Sequence, residues 1–215
     1  MIYTSSYNEC KTKYKTYSIS HDKGKDANYK GKCYPALAPK LTFWRKWKEN
    51  RGKISEEENN RYYVEEYWKE VLSELNPEKV YRELDESILL CYESNEKFCH
   101  RHIVAAWFEI LLGVKVPEIK LNNDKLEEVE KPKYIKQYLE DAMRLNRNMK
   151  GFKSLQALYI FEKAEQIEKI AEELEEQNKK NQDNFRQLAD LLRCDADMVE
   201  EKYIESQNQK KLIKK

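Results

Sequence analysis

A short apolar run followed closely by a broad apolar helical pattern constrains the fold of this chain most. Residues 88–91, Ile-Leu-Leu-Cys, are continuously apolar and bounded by polar residues, which is typical of a strand buried on both faces of a mostly parallel sheet. After a short loop, residues 99–113 show apolar side chains at helical spacing and end at a glycine suited to a helix C-terminus. This order is half of a βαβ unit. Because ligands in such sheets gather at the carboxyl ends of strands, we expect the functional site at residues 92–101.

The residues before this segment predict further elements of an α/β domain. The expected elements are strands within 1–7 and 15–21, a loop at 21–40, helices within 41–51 and 54–75, and a short helix from Pro77. Ser55 and Glu58 have the spacing of a capping box and predict the start of the second helix. Trp44, Trp47 and Trp68 recur at helical spacing, which favours a place in the core over a stacking surface.

The C-terminal part of the chain predicts helices only. Residues 121–131 are polar and charged and indicate a linker, and residues 132–215 indicate a helical extension. A heptad seam is formed by Ile160, Ala164, Ile167, Ala171 and Leu174. The seam continues either as one long helix through Asn178 and Asn181, or as a hairpin with its turn at 177–184, and we favour the hairpin because eight consecutive polar residues pack poorly. Residues 184–205 suggest a short helix-turn-helix. The predicted fold class is therefore α/β over residues 1–120, with a small, mostly parallel sheet flanked by helices, followed by an all-helical extension.

Composition excludes several classes of protein. The chain has 37% charged and 40% apolar residues, with five Gly and five Pro, so it is neither collagen-like nor fully disordered. No stretch of about 18 apolar residues indicates a membrane span, and the N-terminus lacks the order of a signal peptide, so we expect a cytoplasmic protein. Five cysteines without framework spacing predict free thiols.

The net charge of +1 conceals an uneven distribution. Residues 1–53 carry a net charge of +9, residues 54–130 carry −10, and residues 131–215 carry +2. The basic stretch could attract phosphate or nucleic acid, or it could pair with the acidic stretch of the same domain. The sequence leaves both alternatives open.

The residues with the strongest chemical signal lie at the predicted start of the helix after residue 98. Cys99, His100 and Arg101 would occupy its first turn, where free amides and the helix dipole lower a thiol pKa. Arg101 offers bidentate geometry for phosphate, and Glu93 could act as a general base. The structural alternative is that Cys91 is a small buried apolar residue and that Cys99 caps the helix.

A metal ion is not predicted at these residues. The cysteines and histidines show no paired CxxC spacing, and a helix would point neighbours 99 and 100 apart. No cofactor is indicated by any other motif.

These residues resemble a known family. Leu-Leu-Cys-Tyr-Glu at 89–93, a short loop and Cys-His-Arg-His at 99–102 are similar to the signature of the domain of unknown function 488 family. The segments around 2–7, 17–22 and 34–40 resemble the opening of small members, so the resemblance covers residues 1–120. It implies the same fold and makes Cys91, Glu93 and the Cys-His-Arg residues site candidates, but it implies no particular reaction. Where longer members have Asp-x-Arg, this chain has Ser18, Ile19 and Ser20.

We therefore expect a protein that binds a phosphate-bearing ligand, either a nucleotide or a nucleic-acid end, and that could act on this ligand as a hydrolase or transferase. The expected catalytic residues are Cys99, His100 and Glu93, and the expected ligand-binding residues are Arg101, Cys91, Lys40 and Ser20. The alternative is a non-catalytic interaction or inhibitor protein. In that case residues 152–192 of the helical tail would form a homodimer or bind a protein partner.

Overall fold

The computed structural model describes residues 1–10, 14–122, 125–145, 152–173 and 179–213, with the side chains at 173, 179–182 and 208–213 excepted. The chain forms two compact units, Met1–Asn146 and Arg147–Lys215. None of the described helices is long and apolar enough to cross a membrane.

A single mixed sheet organises the first unit. Its strands are β1 (Tyr3–Ser6), β2 (Thr16–Ser18), β3 (Lys32–Cys33), β4 (Ile88–Cys91), β5 (Glu118–Asn122) and β6 (Lys125–Val129). They lie in the order β3-β2-β4-β1-β5-β6, in which all neighbouring pairs are parallel except β5 and β6. Because Ser6 aligns with Cys91 and Ser18 with Leu90, the carboxyl ends of β1, β2 and β4 meet at one edge of the sheet. The predicted α/β class with a mostly parallel sheet is confirmed.

Five helices accompany this sheet: α1 (Leu41–Glu49), α2 (Glu56–Glu70), α3 (Pro77–Leu84), α4 (His100–Leu112) and α5 (Tyr134–Leu145). The predicted local signals act as expected. The Ser55 hydroxyl accepts a hydrogen bond from the Glu58 amide at 3.1 Å, and the Glu58 carboxylate accepts one from the Ser55 amide at 3.2 Å. Gly113 ends α4 in the left-handed region, at φ 66°, where a side chain would be strained.

Helix α4 forms the centre of the core. It connects β4 to β5, and since β1 lies between these strands, the connection is a parallel crossover. Nearly the whole helix is buried, including Trp107 and Phe108, and it packs against α3, α5 and the two central strands. A helix held on all sides fixes the position of its first turn, which follows the carboxyl end of β4 closely.

The structure corrects the predicted linker at 121–131. Residues 118–122 and 125–129 form an antiparallel hairpin, and α5 packs against α2 and α4, so it belongs to the first unit. The physical reason is that β6 is an edge strand whose residues are mostly exposed. An exposed edge tolerates Lys and Glu, so its sequence looks like a linker.

The second unit consists of two helices that pack against each other, α6 (Leu155–Glu173) and α7 (Lys179–Ile213). Ala157, Ala164 and Ala171 of α6 are fully buried at seven-residue spacing, as are Ala189 and Ala196 of α7. Small side chains at these positions let the two helices approach closely.

The hairpin is thus the arrangement found, but two details of the prediction are wrong. Helix α7 already begins at Lys179, so most of the predicted turn at 177–184 is helical. Residues 184–205 form no helix-turn-helix, because α7 runs through them without a Gly or Pro to break it. Leu174 and Asn178 of the predicted seam lie outside the described residues, as does the side chain of Asn181.

Candidate active site

The candidate site lies at the carboxyl ends of β2 and β4. Strand β4 ends at Cys91, and Glu93 follows in the loop that leads to α4. Cys99 is the N-cap of α4, and His100 is its first residue. The backbone of Cys99 is extended, with φ −152° and ψ 145°, so its side chain does not follow the direction of the helical residues after it. The structure therefore brings together four of the predicted site residues.

The ring of His100 links the two cysteines. Its Nδ1 lies 3.5 Å from the Cys91 sulfur and 3.9 Å from the Cys99 sulfur. Its Nε2 lies 2.9 Å from the carbonyl oxygen of Ile19, just after β2. A carbonyl only accepts, so Nε2 carries a proton and Nδ1 faces the sulfurs. In this orientation Nδ1 can take a proton from a thiol.

The electrostatics favour a thiolate at Cys99. Burial opposes ionisation, but a hydrogen bond from Cys91, the positive charge of Arg101 and contact with His100 together hold the pKa of the Cys99 thiol well below its usual range. Burial also opposes the charged form of His100, yet the Cys99 thiolate and other partners raise the pKa of His100 above its usual value. By contrast, burial first and then the neighbouring Cys99 sulfur raise the pKa of Cys91 well above its usual range. These directions favour a thiolate at Cys99 beside a protonated His100, with the proton retained on Cys91.

Glu93 completes the group. One of its carboxylate oxygens lies 3.7 Å from the Cys91 sulfur. Burial, and secondly the negative charge at Cys99, raise the pKa of Glu93. A carboxyl group in this state can hold a proton close to a thiolate, which is the requirement for an acid and a nucleophile at one site.

Arg101 does not occupy the predicted position. Its side chain is fully buried, and its Nη2 and Nε lie 2.9 and 3.1 Å from the same Oε1 of Glu118, the first residue of β5. Arg101 is absent from the lining of the pocket that contains Cys99. The structure therefore does not support the prediction that Arg101 holds an external anion, because Arg101 does not line the pocket and two of its nitrogens bond the Glu118 carboxylate in the core.

The other two predicted ligand-binding residues differ from each other. Lys40 is exposed, and its Nζ lies 3.8 Å from Oε2 of Glu70. It does not line the pocket, so its position does not support the prediction that it binds the ligand. Ser20 does line the pocket. Its hydroxyl donates to Asp22 at 2.8 Å and accepts from the Gly24 amide at 3.0 Å, so it organises the loop after β2.

The pocket above this cluster has a volume of about 390 Å³, within the usual range for ligand sites. Cys91, Cys99, His100 and Glu93 lie at its floor, where β4 and α4 meet. The pocket is also lined by Trp44, Trp47, Lys48 and Arg51 from α1 and the residues after it, which together we call the α1 wall, and by Asp22, Asp26 and Tyr92. The pocket therefore combines a buried thiol cluster with aromatic, cationic and anionic groups.

Sequence reasoning missed two parts of this pocket. Trp44 and Trp47 were expected in the core, but both are half-buried and line the pocket, whereas Trp68 is buried as predicted. Asp22 was not singled out, although it accepts hydrogen bonds from Tyr92 and two backbone amides. Burial is the largest single effect and opposes its ionisation, but these bonds and one from Ser20 together lower the pKa of Asp22 to about 2, so it is ionised at neutral pH.

The same cluster has the donor set of a metal site. The sulfurs of Cys91 and Cys99 and one ring nitrogen of His100 lie within 4.8 Å of one another. The expectation that residues 99 and 100 point apart is wrong, because Cys99 precedes the helix and has an extended backbone. Two thiols and an imidazole are ligands that zinc prefers, so Cys91, Cys99 and His100 would be the residues that hold it.

Comparison with known families agrees with this architecture. The DUF488-N3a family model, described as the active DUF488-N3 subclade, matches residues 6–110, which include all of β2 to β4, α1 to α3 and most of α4. No match was found among curated proteins or among solved structures. Residues 6–110 of this chain belong to the DUF488 family.

Proposed function

We propose that this protein is a cysteine-dependent hydrolase or transferase that acts on a phosphate-bearing ligand, either a nucleotide or a nucleic-acid end. The observation that carries the proposal is the Cys99 sulfur at the floor of the pocket, 3.9 Å from the Nδ1 of His100. A buried thiol with this partner and a lowered pKa is suited to act as a nucleophile, unlike an inert cysteine of the core. The description of the matching family model as an active subclade supports this choice.

Two cations of the pocket support an anionic ligand. Lys48 and Arg51 line it, and the first amides of α4 lack partners within their own helix by the nature of a helix start. Arg101 is paired with Glu118 and does not contact the ligand. Its positive charge acts at a distance by lowering the pKa of Cys99.

The proposed reaction uses Cys99 as the nucleophile and Glu93 as the acid and base. The Cys99 thiolate attacks phosphorus, the ester P–O bond breaks, and the leaving oxygen takes a proton from Glu93. Water, or an acceptor hydroxyl, then attacks the phosphorus of the S–P intermediate and gives its proton to the Glu93 carboxylate. This displaces the Cys99 thiolate and restores both groups.

Covalent trapping tests this proposal. The protein is mixed with AMP or with a 5′-phosphorylated oligothymidylate, quenched in acid, and the mass of each cysteine-containing peptide is measured. We expect an adduct on Cys99 and ligand turnover that is lost in Cys99→Ser. Cys10→Ser is the matched control, because Cys10 is equally buried in the same unit but does not line the pocket. An unmodified Cys99, together with turnover that survives in Cys99→Ser, would contradict the proposal.

Zinc analysis of the same preparation separates the alternative chemistry. One equivalent of tightly bound zinc, lost in Cys91→Ala, would mean that the cluster holds a metal and that Cys99 is a ligand rather than the nucleophile. Metal-free protein that is active supports the thiolate mechanism.

Exposed apolar side chains on α7 of the second unit support a second candidate function, as an interaction protein. Leu188, Leu191 and Met198 of α7 are exposed, and Leu191 is 64% accessible to solvent. Such a row supports self-association or a protein partner within residues 152–192, as expected for an interaction protein. Sedimentation of a Leu188→Glu/Leu191→Glu variant, with Gln187→Glu as control, tests it. An unchanged monomeric mass in all three proteins would argue against self-association.

A further inference from the structure

We infer that the α1 wall of the pocket is a nucleobase-stacking subsite, which selects ligands that carry an aromatic base together with their phosphate. This inference rests on the proposed function, because it names the ligand class of the same pocket. It concerns Trp44, Trp47, Lys48 and Arg51, none of which takes part in the thiol chemistry.

The four side chains form one continuous face. Positions 44, 47, 48 and 51 follow helical spacing along α1 and the turn after it, and all four line the pocket. Both indoles are half-buried, so part of the surface of each remains accessible. Trp47 is held in place by Tyr63 and Phe98 and by a hydrogen bond from its Nε1 to Asn60 at 3.2 Å. A rigid aromatic surface beside a reactive cluster is what a stacking ligand requires.

The cations of this wall rest on the indole faces. The Lys48 ammonium lies 3.8 Å from the centre of the Trp44 ring, and the Arg51 guanidinium lies 4.2 Å from that of Trp47. Neither cation makes an ion pair with a carboxylate among the residues that the structure describes. Their charge is therefore available to a phosphate. An exposed contact between a cation and a ring is weaker than a base stacked on an aromatic side chain, so a base can displace it.

Two other residues that line the pocket have the opposite charge. Asp22 is ionised, and Asp26 lies beside it on the same loop. Carboxylates repel phosphate but accept hydrogen bonds from ribose hydroxyls and from the amino groups of bases. The α1 wall and these carboxylates therefore orient a nucleotide, with its base against the indoles, its phosphate towards Lys48 and Arg51, and its polar edges towards Asp22.

A base-free sugar phosphate can use only half of this pocket. It would meet the cations and the carboxylates but leave the indole surface in contact with water. The stacking wall thus accounts for selection between nucleotides and sugar phosphates, which the thiol cluster alone cannot provide.

Equilibrium binding to the full chain carrying Cys99→Ser tests this inference without turnover. The probes are AMP, ribose 5-phosphate, and a 5′-phosphorylated oligothymidylate as a single strand and as a blunt duplex with its complement. We expect AMP to bind about tenfold or more tightly than ribose 5-phosphate. Trp44→Ala should abolish this preference, and Trp44→Phe should retain most of it. The single strand binding more tightly than AMP and the duplex would identify a strand end as the natural source, and equal binding of AMP and the single strand would identify a free nucleotide.

Lysine variants supply the matched control for the phosphate. Lys48→Ala should weaken AMP binding about fivefold or more, whereas Lys46→Ala should change it less than about twofold, because Lys46 is an exposed lysine of the same helix that does not line the pocket.

Three results would overturn the subsite: equal affinity for AMP and ribose 5-phosphate, unchanged AMP binding in Trp44→Ala, or no binding of either probe. The proposed function fails separately. If AMP binds through Trp44 but Cys99 is never modified, the subsite stands and the nucleophile does not. If ribose 5-phosphate modifies Cys99 as readily as AMP does, the nucleophile stands and the subsite does not.

Discussion

Replacing Arg101 by Met should destabilise the first unit severely, although a ligand-binding role would predict a stable fold. Arg101 and Glu118 are both fully buried, with Nη2 2.9 Å from Oε1, and Glu118 also accepts a hydrogen bond from Thr4 at 2.6 Å. Removing one partner of a buried pair leaves an uncompensated charge, which lowers the free energy of unfolding by about 3–5 kcal/mol. Because Thr4 still bonds to the carboxylate and the His102 Nε2 still lies 3.3 Å from it, we expect a value of about 3 kcal/mol.

Urea unfolding followed by tryptophan fluorescence measures this loss. All four tryptophans lie between residues 44 and 107, so the signal reports on the first unit alone. With a slope of about 2 kcal/mol per molar urea, the midpoint should fall by about 1.5 M. Arg61→Met is the control, since Arg61 pairs with Asp141 at 3.0 Å on the surface and should contribute less than about 1 kcal/mol.

A double variant tests whether the loss of the Arg101–Glu118 ion pair causes the loss of stability. Arg101→Met/Glu118→Gln should be more stable than Arg101→Met alone, because the unpaired charge of Glu118 is gone.

The pH dependence of the stability loss in Arg101→Met has the same origin. Burial opposes ionisation, but His102 and Arg101 lower the pKa of Glu118, so its pairing stabilises the fold above the ordinary carboxyl pKa and this stability is lost as the pH falls. The difference between wild type and Arg101→Met should therefore shrink in acid. A loss below about 1 kcal/mol for Arg101→Met, or no recovery in the double variant, would refute the reasoning.

Three further predictions concern the site and the second unit. The alkylation rate of Cys99 should rise with pH at an inflection below that of free N-acetylcysteine in the same buffer, and Cys91→Ala should move the Cys99 inflection upward because a hydrogen bond to the thiolate is lost; peptide mapping after iodoacetamide treatment measures the Cys99 inflection, and a value equal to that of the free thiol would contradict the thiolate. Asp22→Asn should flatten the loss of stability between about pH 4 and pH 2, because a carboxyl with a lowered pKa stabilises the fold above its unfolded pKa and stops doing so in acid; acid titration of the fluorescence signal checks this. Ala164→Leu should overpack α6 against α7 and destabilise the hairpin by about 1–3 kcal/mol, seen as lower helicity in circular dichroism on heating.

The parts of the fold that depend on neighbouring residues could be predicted from the sequence. Strand β4 has the predicted bounds of residues 88 and 91, and α4 ends at Gly113 as expected, because an apolar run and a helix-ending glycine act locally. Strand β6 and helix α5 could not be assigned to the first unit. Their place depends on pairing with β5 and packing against α2, which no local pattern reveals.

The same distinction separates the site residues. Cys91, Glu93, Cys99 and His100 lie within ten residues of one another, so one strand-loop-helix segment predicts that they meet. The stacking wall comes from α1, a separate element, and a tryptophan at helical spacing looks the same whether it faces the core or a pocket. The thiol cluster lies within this strand-loop-helix segment and could be predicted from the sequence. The α1 residues that line the same pocket are distant in sequence, so their place in the pocket could not.

The position of Arg101 follows from the partner available to it. Thr4 of β1 aligns with Glu118 of β5, and this parallel pairing places the Glu118 carboxylate beneath the first turn of α4. A guanidinium there meets a carboxylate inside the core, where its desolvation is best compensated, rather than at the pocket surface. Its charge still reaches Cys99 and stabilises the thiolate without occupying the space in front of the sulfur. The proposed ligand then has to be bound by other cations, and Lys48 on α1 and Arg51 just after it line the pocket. In the proposed function, activation of the nucleophile and recognition of the anion are thus carried by different parts of the fold, so Lys48→Ala should weaken ligand binding while leaving the alkylation profile of Cys99 unchanged.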